Sequence, residues 1–201
     1  IDDAPETLRS STMKIHLHTL GWDEIGTPYS LSFKRLLHGE SGILSQMKRR
    51  SSSIDWDNAE FLDCRMFTDA ASKQLSDHVG EHVGILELTL SQTNFVKSAI
   101  SRAKQQIQWC EHRGFDACHI VFVSKSGTHR SVSLSLLFEG ALQIQGYRVL
   151  SSNHWSTTHW KNKCRHCYNC KPDNPLKYFL PYDMFKLWTC PRNPPSVNKA
   201  R

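Results

Sequence analysis

The hydrophobic pattern of the chain predicts short strands separated by longer helical segments. In the segment MKIHLHTLGW, Ile15 and Leu17 alternate with polar or ionisable residues, which is the two-residue period of a strand. The segment ACHIVFV is a short apolar run rich in β-branched residues, which is typical of a buried strand. Strands are predicted at residues 13–22, 60–67, 117–123 and 147–152.

Two segments have the longer period of an amphipathic helix. In the first, apolar residues recur every three or four positions between Thr93 and Cys110, and Gly114 follows as a stop signal. The second begins near Ser131 and ends at Gly146. Because helices of this length alternate with the strands, the predicted fold class is α/β with a largely parallel sheet.

Three stretches depart from this alternation and divide the chain. Residues 1–12 are predicted to be a flexible lead, and the absence of an initial Met indicates a processed chain or a fragment. Residues 38–58 are polar and Ser-rich, with a basic KRR at 48–50, and are predicted to be a mobile loop. The α/β domain is predicted at 13–154, followed at 155–201 by an irregular, Cys/His/Trp-rich metal-binding extension.

The composition is that of a folded, basic protein. The 201 residues are 39% hydrophobic and 22% charged, and the net charge is +6 with a sequence pI of about 9.0. This balance permits a hydrophobic core and favours anionic partners, namely phosphorylated metabolites, nucleic acid or an acidic protein surface. No apolar run approaches the roughly 20 residues of a membrane helix, and the N-terminal segment lacks the apolar stretch of a signal peptide.

The segment SKSGTHRS, which joins the predicted strand 117–123 to the next helix, has the residues of an anion-binding loop. The first amides of a helix have no intrahelical partner and carry partial positive charge, so they bind phosphate groups. Gly127 permits close backbone approach, Arg130 offers a fork that matches phosphate oxygens, and Lys125 adds a point charge. An ordinary turn in which a serine caps the helix is the alternative interpretation. The predicted phosphate-binding residues are Ser124, Lys125, Ser126, Gly127, Thr128, His129, Arg130 and Ser131.

The identity of residue 124, a serine, affects whether this loop could hydrolyse a bound phosphate ester. Its spacing to Arg130 resembles the C-x5-R loop of protein tyrosine phosphatases, with serine in place of the cysteine. The nucleophile of that loop is a thiolate of lowered pKa, whereas a serine hydroxyl stays protonated and attacks poorly. The loop is therefore expected to hold phosphate without hydrolysing it.

Three of the seven cysteines lie in the short segment CRHCYNC, which contains two overlapping C-x-x-C steps. This spacing and the odd count favour a metal site in a reducing compartment over a set of disulfides, so we expect an intracellular protein of the cytoplasm or of an organelle stroma or matrix. Zn²⁺ prefers four Cys or His ligands. An iron–sulfur cluster and unpaired thiols are the other interpretations. The predicted zinc ligands are His159, Cys164, Cys167 and Cys170, with Cys190 and His154 as alternatives to His159.

The segment VSKSGTHRSV (123–132) resembles the hallmark of the C-terminal domain of the bacterial RNase adapter RapZ, a strand followed by G-C-T-G-G-x-H-R-S-V. Ser124 replaces the family's cysteine. The segment IHLHTLGWDEIGTP (15–28) resembles the family's opening strand and turn, and DCRMF (63–67) resembles its D-V-R-F-L. The resemblance covers residues 13 to about 155, and the residues that match the hallmark directly are Gly127, His129, Arg130, Ser131 and Val132.

The resemblance implies a Rossmann-like, phosphofructokinase-like layered domain that binds phosphate-bearing ligands. In the bacterial adapter these ligands are an aminosugar phosphate and a small RNA. The residues implied to line the phosphate pocket are Gly127, Thr128, His129 and Arg130, with Asp63, Arg65 and His154 as wall residues. Where the family has a lysine in its opening turn the chain has Asp23, so phosphate binding is better supported than sugar specificity.

These features favour a non-catalytic binding or adapter domain whose partners are a phosphorylated small molecule or RNA, and a protein in a larger complex. One alternative is a structural subunit with a vestigial pocket. A second is a phosphatase or phosphotransferase in which His129, Asp63 or a hydroxyl replaces the missing thiolate. Aromatic residues interleaved with Lys and Arg at 155–188 are expected to pack over the zinc ion, with stacking on RNA bases as the alternative.

Overall fold

The fold is built on a sheet of four parallel strands, as the alternation of strands and helices along the sequence predicts. The computed structural model describes residues 13–25, 32–38, 42–70 and 74–189. The strands are β1 (Lys14–Gly21), β2 (Glu60–Asp63), β3 (Ala117–Ser124) and β4 (Arg148–His154). Their order across the sheet is β2-β3-β1-β4, and every pairing is parallel. The predicted α/β class with a parallel sheet is confirmed.

Six α-helices flank this sheet within the described residues. Both predicted helices are present, and the longer one ends at Gly114, which has the left-handed φ of 70° that favours glycine. Four further helices were not predicted. The helices are α1 (Phe33–His38), α2 (Ile43–Arg50), α3 (Val83–Ser91), α4 (Thr93–Arg113), α5 (Arg130–Ile144) and α6 (Leu176–Thr189).

The second strand is shorter than the segment 60–67 that the sequence predicts. It stops at Asp63, and a 3₁₀ turn occupies Cys64–Met66. The Asp63 carboxylate accepts a hydrogen bond of 3.0 Å from the Arg65 amide, so the side chain caps the turn. The turn ends the strand, so residues 64–66 do not extend the sheet.

The two faces of the sheet pack against different helices. Ile120 and Phe122 of β3 join a core built by α3, α4, α5 and α6. Val121 and Val123, which point to the opposite face, pack against α1 and α2. The connection from β1 to β2 therefore crosses one face, while the connection from β3 to β4 crosses the other.

The segment 38–58, predicted to be a loop, contains helix α2 and a 3₁₀ turn at Trp56–Asn58. Ile43 and Met47 are spaced four residues apart, so both lie on the same side of α2 and are buried with Trp56. The basic residues at 48–50 form the exposed last turn of α2, where positive charge stabilises a helix. Because Ile43 and Met47 are surrounded by Ser and basic residues, the sequence shows no clear helical pattern here. The prediction of a loop was wrong for residues 43–50.

The extension at 155–201 is not irregular throughout, because α6 spans fourteen of its residues. Leu180, Met184 and Trp188 bury one side of α6 in the same core as α5. The two helices approach closely at Gly140 of α5, since a Cβ there would lie 2.4 Å from the Cβ of Pro181. The predicted lead at 1–12 and the end of the extension at 190–201 lie outside the described residues.

Within the described part of the chain, no helix is both long enough and apolar enough to cross a membrane.

Candidate functional site

The carboxyl edge of the sheet collects most of the residues that the sequence marks as a site. Asp63 and His154 end β2 and β4, and Ser124 ends β3. The central strands β1 and β3 are neighbours whose following segments turn to opposite faces of the sheet. Such a switch point is where α/β sheets open a crevice for ligands. The segment from Ser124 to Ser131, called here the 124–131 loop, lies at this point.

The 124–131 loop is packed closely against the end of β1. Gly127 has a left-handed φ of 66°, which glycine adopts without strain. A Cβ on Gly21 would lie 2.5 Å from the Ser126 carbonyl carbon, so the two backbones touch. The Asp23 amide donates to the Lys125 carbonyl at 3.0 Å. Lys125 itself is exposed to solvent.

Hydroxyl groups tie the loop together from inside. The Ser124 and Ser131 hydroxyl oxygens are 2.8 Å apart, and the Gly127 amide donates to Ser124 Oγ at 3.2 Å. Thr128 is also buried, and its hydroxyl donates to the Ser126 carbonyl. The Gly127 amide is therefore engaged by the protein's own serine. Among the described residues, the Ser124 hydroxyl contacts the Ser131 hydroxyl and the Gly127 amide.

Arg130 faces the segment after β2. Its Nη1 donates to the carbonyls of Arg65 and Phe67 at 3.2 and 3.3 Å. Its Nη2 lies 3.3 Å from an oxygen of the Asp69 carboxylate. The guanidinium thus bridges the start of α5 to residues 65–69, a role that the sequence did not reveal.

His129 contacts the same carboxylate. Its Nδ1 is 3.0 Å from the other oxygen of Asp69, and its Nε2 is 2.9 Å from the His78 carbonyl oxygen. Both partners are hydrogen-bond acceptors, so each ring nitrogen of His129 faces an acceptor. The hydrogen bond to His129 is the main reason that the pKa of Asp69 is lowered from its ordinary value. The Asp69 carboxylate therefore lies between the Arg130 guanidinium and the His129 ring and contacts both.

The predicted wall residues reach the same edge, each with a partner. Arg65 donates from Nε and Nη2 to the Asp63 carboxylate at 2.7 to 2.9 Å and lies 4.9 Å from the Trp22 ring centroid. His154 Nδ1 is 2.7 Å from the Thr19 hydroxyl, and burial lowers the pKa of the His154 imidazole. Asp63, Arg65 and His154 therefore form part of the edge and are engaged in its packing.

A second constellation, called here the Cys/His cluster, consists of His78, Cys164, Cys167 and Cys170. One potential ligand atom from each residue lies within 4.8 Å of all the others. His78 Nδ1 is 3.2 Å from Cys170 Sγ and 3.8 Å from Cys167 Sγ. Sulfur and nitrogen ligands at about 2.0 to 2.3 Å from one tetrahedral ion lie roughly 3.5 to 3.8 Å from one another. The cluster is a candidate metal site.

Hydrogen bonds to backbone carbonyls join the segment around His78 to the segment that carries the cysteines. The Cys164 amide donates to the Asp77 carbonyl at 2.6 Å, and the Lys163 ammonium donates to the Ser76 carbonyl. Hydrogen bonds from the amides of His166 and Cys167 lower the pKa of the Cys164 thiol. Burial raises the pKa of the Cys170 thiol to about 12, which a bound dication would reverse because it stabilises the thiolate.

His159 is not part of the cluster, which corrects the predicted fourth ligand. It lies exposed in the 3₁₀ turn Thr158–Trp160, and His78 takes the fourth position. The alternative ligand His154 contacts Thr19, and Cys190 lies outside the described residues. The local spacing around the cysteines contains no signal for His78, which is 92 residues from Cys170 in sequence.

The chain matches no family model, no curated protein and no solved structure.

Proposed function

We propose that this chain is a non-catalytic binding domain that holds a phosphate-bearing ligand at the 124–131 loop, with a structural zinc ion in the Cys/His cluster. The observation that carries the proposal is the contact of both His129 and Arg130 with the oxygens of Asp69. The Arg130 guanidinium and the His129 ring at the start of α5 form a seat for an anion, and the chain's own carboxylate marks its position.

A phosphate group would take this seat by displacing Asp69. The Asp69 side chain is 39% exposed, whereas those of His129 and Arg130 are 11% and 9% exposed. The carboxylate is thus the part of the seat that opens to solvent. A phosphate offers more oxygens and more charge than a carboxylate, and the exposed Lys125 adds a cation on the same loop. The resemblance of residues 123–132 to the RapZ hallmark supports the same ligand class.

The proposal excludes hydrolysis by the phosphatase route because residue 124 is serine. Its hydroxyl is bonded to Ser131 and to the Gly127 amide, so it serves the shape of the loop. A buried hydroxyl without an adjacent base is a weak nucleophile. A ligand would be held and released unchanged.

Zinc is the metal that best fits the Cys/His cluster. Three thiolates and one imidazole are the donor set of closed structural zinc sites, and softer ligands disfavour Mg²⁺ and Ca²⁺. An iron–sulfur cluster is less well supported, because it is usually held by four thiolates. The ion would hold residues 76–78 against residues 163–170, which otherwise meet through only a few hydrogen bonds.

The test is a calorimetric titration of the zinc-loaded chain with inorganic phosphate. Arg130→Lys keeps the charge but removes the fork, so we expect its affinity to fall about tenfold or more. Arg49→Lys, on the exposed end of α2, is the matched control and should bind as the wild type does. If the wild type shows no saturable binding of phosphate, or if Arg130→Lys binds equally well, the proposal is wrong.

A further inference from the structure

The segment from Ser76 to Gly80 contacts both the Cys/His cluster and the 124–131 loop. On the cluster side, His78 supplies a ligand atom, and the carbonyls of Ser76 and Asp77 accept hydrogen bonds from Lys163 and Cys164. These contacts make the position of the segment depend on residues 163–170. A metal ion that joins His78 to the cysteines fixes that position.

On the loop side, the same segment contacts His129 and Thr128 of the 124–131 loop. The His78 carbonyl accepts from His129 Nε2 at 2.9 Å, and the Gly80 amide donates to the Thr128 carbonyl at 2.8 Å. A Cβ on Gly80 would lie 2.5 Å from the His129 carbonyl oxygen, so the two backbones are in direct contact. His78 therefore uses its ring for the cluster and its backbone for the loop.

Trp160 provides a second connection. Its indole Nε1 donates to the Gly127 carbonyl at 3.2 Å, and its ring packs with Val79 and Val132 in a small apolar cluster. The Lys163 amide donates to the Trp160 carbonyl at 3.0 Å, which links the indole to the residue before Cys164. The loop is thus held from two directions by elements that meet at the cysteines.

We infer that metal binding at the Cys/His cluster sets the affinity of the 124–131 loop for an anion. This inference rests on the proposed function. The bound metal fixes the His78 carbonyl and Trp160, which orient His129 and the Gly127 turn before a ligand arrives. A site that is ordered in advance binds more tightly, because less conformational freedom is lost on binding. Coupling between two sites typically changes affinity by about 5-fold to 150-fold.

The first experiment compares the affinity of inorganic phosphate for the zinc-loaded and the metal-free chain. We expect the zinc-loaded chain to bind about tenfold more tightly. Because coupling is reciprocal, saturating sulfate should also slow the transfer of zinc from the chain to a chelating dye by a similar factor. Sulfate is used here because it complexes free zinc weakly.

The second experiment keeps the metal in place and weakens the connection. Trp160→Phe removes the indole N–H that reaches Gly127 and retains an aromatic ring. Trp109→Phe is the control, since Trp109 lies on α4 and its ring packs against that of Phe115, with the ring centroids 5.2 Å apart. We expect Trp160→Phe to lower phosphate affinity about fivefold, with one zinc ion still bound, and Trp109→Phe to change nothing.

The outcomes separate the two proposals. Equal phosphate affinity with and without zinc overturns the coupling and leaves the binding function intact. No phosphate binding in either state overturns the binding function. If the metal-free chain unfolds, the zinc-loaded variants decide: unchanged affinity in Trp160→Phe, together with zinc release unaffected by sulfate, refutes the coupling.

Discussion

The 124–131 loop and the Cys/His cluster are neighbours in the fold, but their polar groups are satisfied in different ways. In the loop the protein supplies the partners: Arg130 meets two carbonyls and Asp69, and Ser124 meets Ser131. In the cluster, four donor groups converge on one another within 4.8 Å. An external cation would therefore complete the cluster, whereas an external anion must compete with a carboxylate for the loop.

This difference determines how strongly each site is linked to folding. A structural metal contributes its binding free energy to the folded state, because the unfolded chain does not hold the ligands together. Exchanging Asp69 for a phosphate replaces one ion pair by another, and the pair is partly exposed, so the net change in stability is small. We expect stability to depend on the cluster and ligand affinity to depend on the loop.

Removal of a cluster ligand is expected to have the largest effect. Cys170 is almost completely buried, and Cys170→Ser should abolish stoichiometric zinc binding and lower the melting temperature strongly. The binding free energy of structural zinc is on the order of 10 kcal/mol, and much of it would be lost. Metal content per chain and thermal unfolding measure both effects. His159→Ala is the control, and a loss of zinc in that variant would contradict the assignment of His78.

Gly80→Ala tests the contact between the two regions. The added Cβ would lie 2.5 Å from the His129 carbonyl oxygen and 2.7 Å from the Ser133 amide nitrogen, so backbone must move. Overpacking of this kind costs about 1 to 3 kcal/mol in the free energy of unfolding, which urea denaturation measures. Gly84→Ala is the matched control, since its nearest neighbour would be 3.3 Å away on the His82 ring. Equal stability of the two variants would show that the contact is loose.

The 124–131 loop could be predicted from the sequence, whereas the residues that contact it, Asp69 and His78, could not. Strand β3, Gly127 and the start of α5 follow one another within a few residues, so local pattern indicates the loop. Asp69 and His78 reach it only through packing of distant segments, and no spacing rule encodes such contacts. The three cysteines of the candidate metal site follow from their spacing in the sequence, whereas His78 does not, for the same reason.

Helices α2 and α6 show a second reason why the hydrophobic pattern of the sequence fails to predict some helices. In α2 the apolar pair Ile43 and Met47 is surrounded by Ser and basic residues, so composition indicates a loop. In α6 Pro181 interrupts the helical signal, although the side chains of Met184 and Trp188 pack into the main core. Both helices are stabilised by tertiary burial more than by local preference.

Acid is expected to act on the sheet itself through a stack of histidines. His16, His18 and His119 lie on one face of β1 and β3, and His18 Nε2 is 3.1 Å from His119 Nδ1. Burial, reinforced by the neighbouring histidines, lowers the pKa of His18 to about 3, and burial lowers that of His119 to about 4. Lys14 and Asp55 are the other charged groups that act on this stack.

The direction in which pH changes the stability follows from these lowered pKa values. Below the ordinary histidine pKa of about 6.5, His18 and His119 are protonated in the unfolded chain but stay neutral in the folded chain. The free energy of unfolding therefore falls as the pH decreases towards 4. His18 should cost about 2 kcal/mol by pH 5, and the partly exposed His119 should cost less. Urea unfolding at pH 7 and pH 5 measures the loss, which should shrink in His18→Gln and persist in the control His112→Gln. An unchanged loss in His18→Gln would contradict the role of the stack.

The smallest effect on stability, and the sharpest test of the loop, is expected from Asp69→Asn. The amide is nearly isosteric with the carboxylate but lacks its charge, so His129 and Arg130 lose their internal anion while the packing is retained. Because the ion pair is partly exposed, the free energy of unfolding should change by less than about 1 kcal/mol. Phosphate, freed from competition, should bind several-fold more tightly in a calorimetric titration. Asp183→Asn, whose carboxylate pairs with Lys186 on the surface of α6, controls for the change in net charge. Weaker binding in Asp69→Asn would mean that Asp69 orients Arg130 and His129 for the ligand, and that the carboxylate does not occupy the ligand's position.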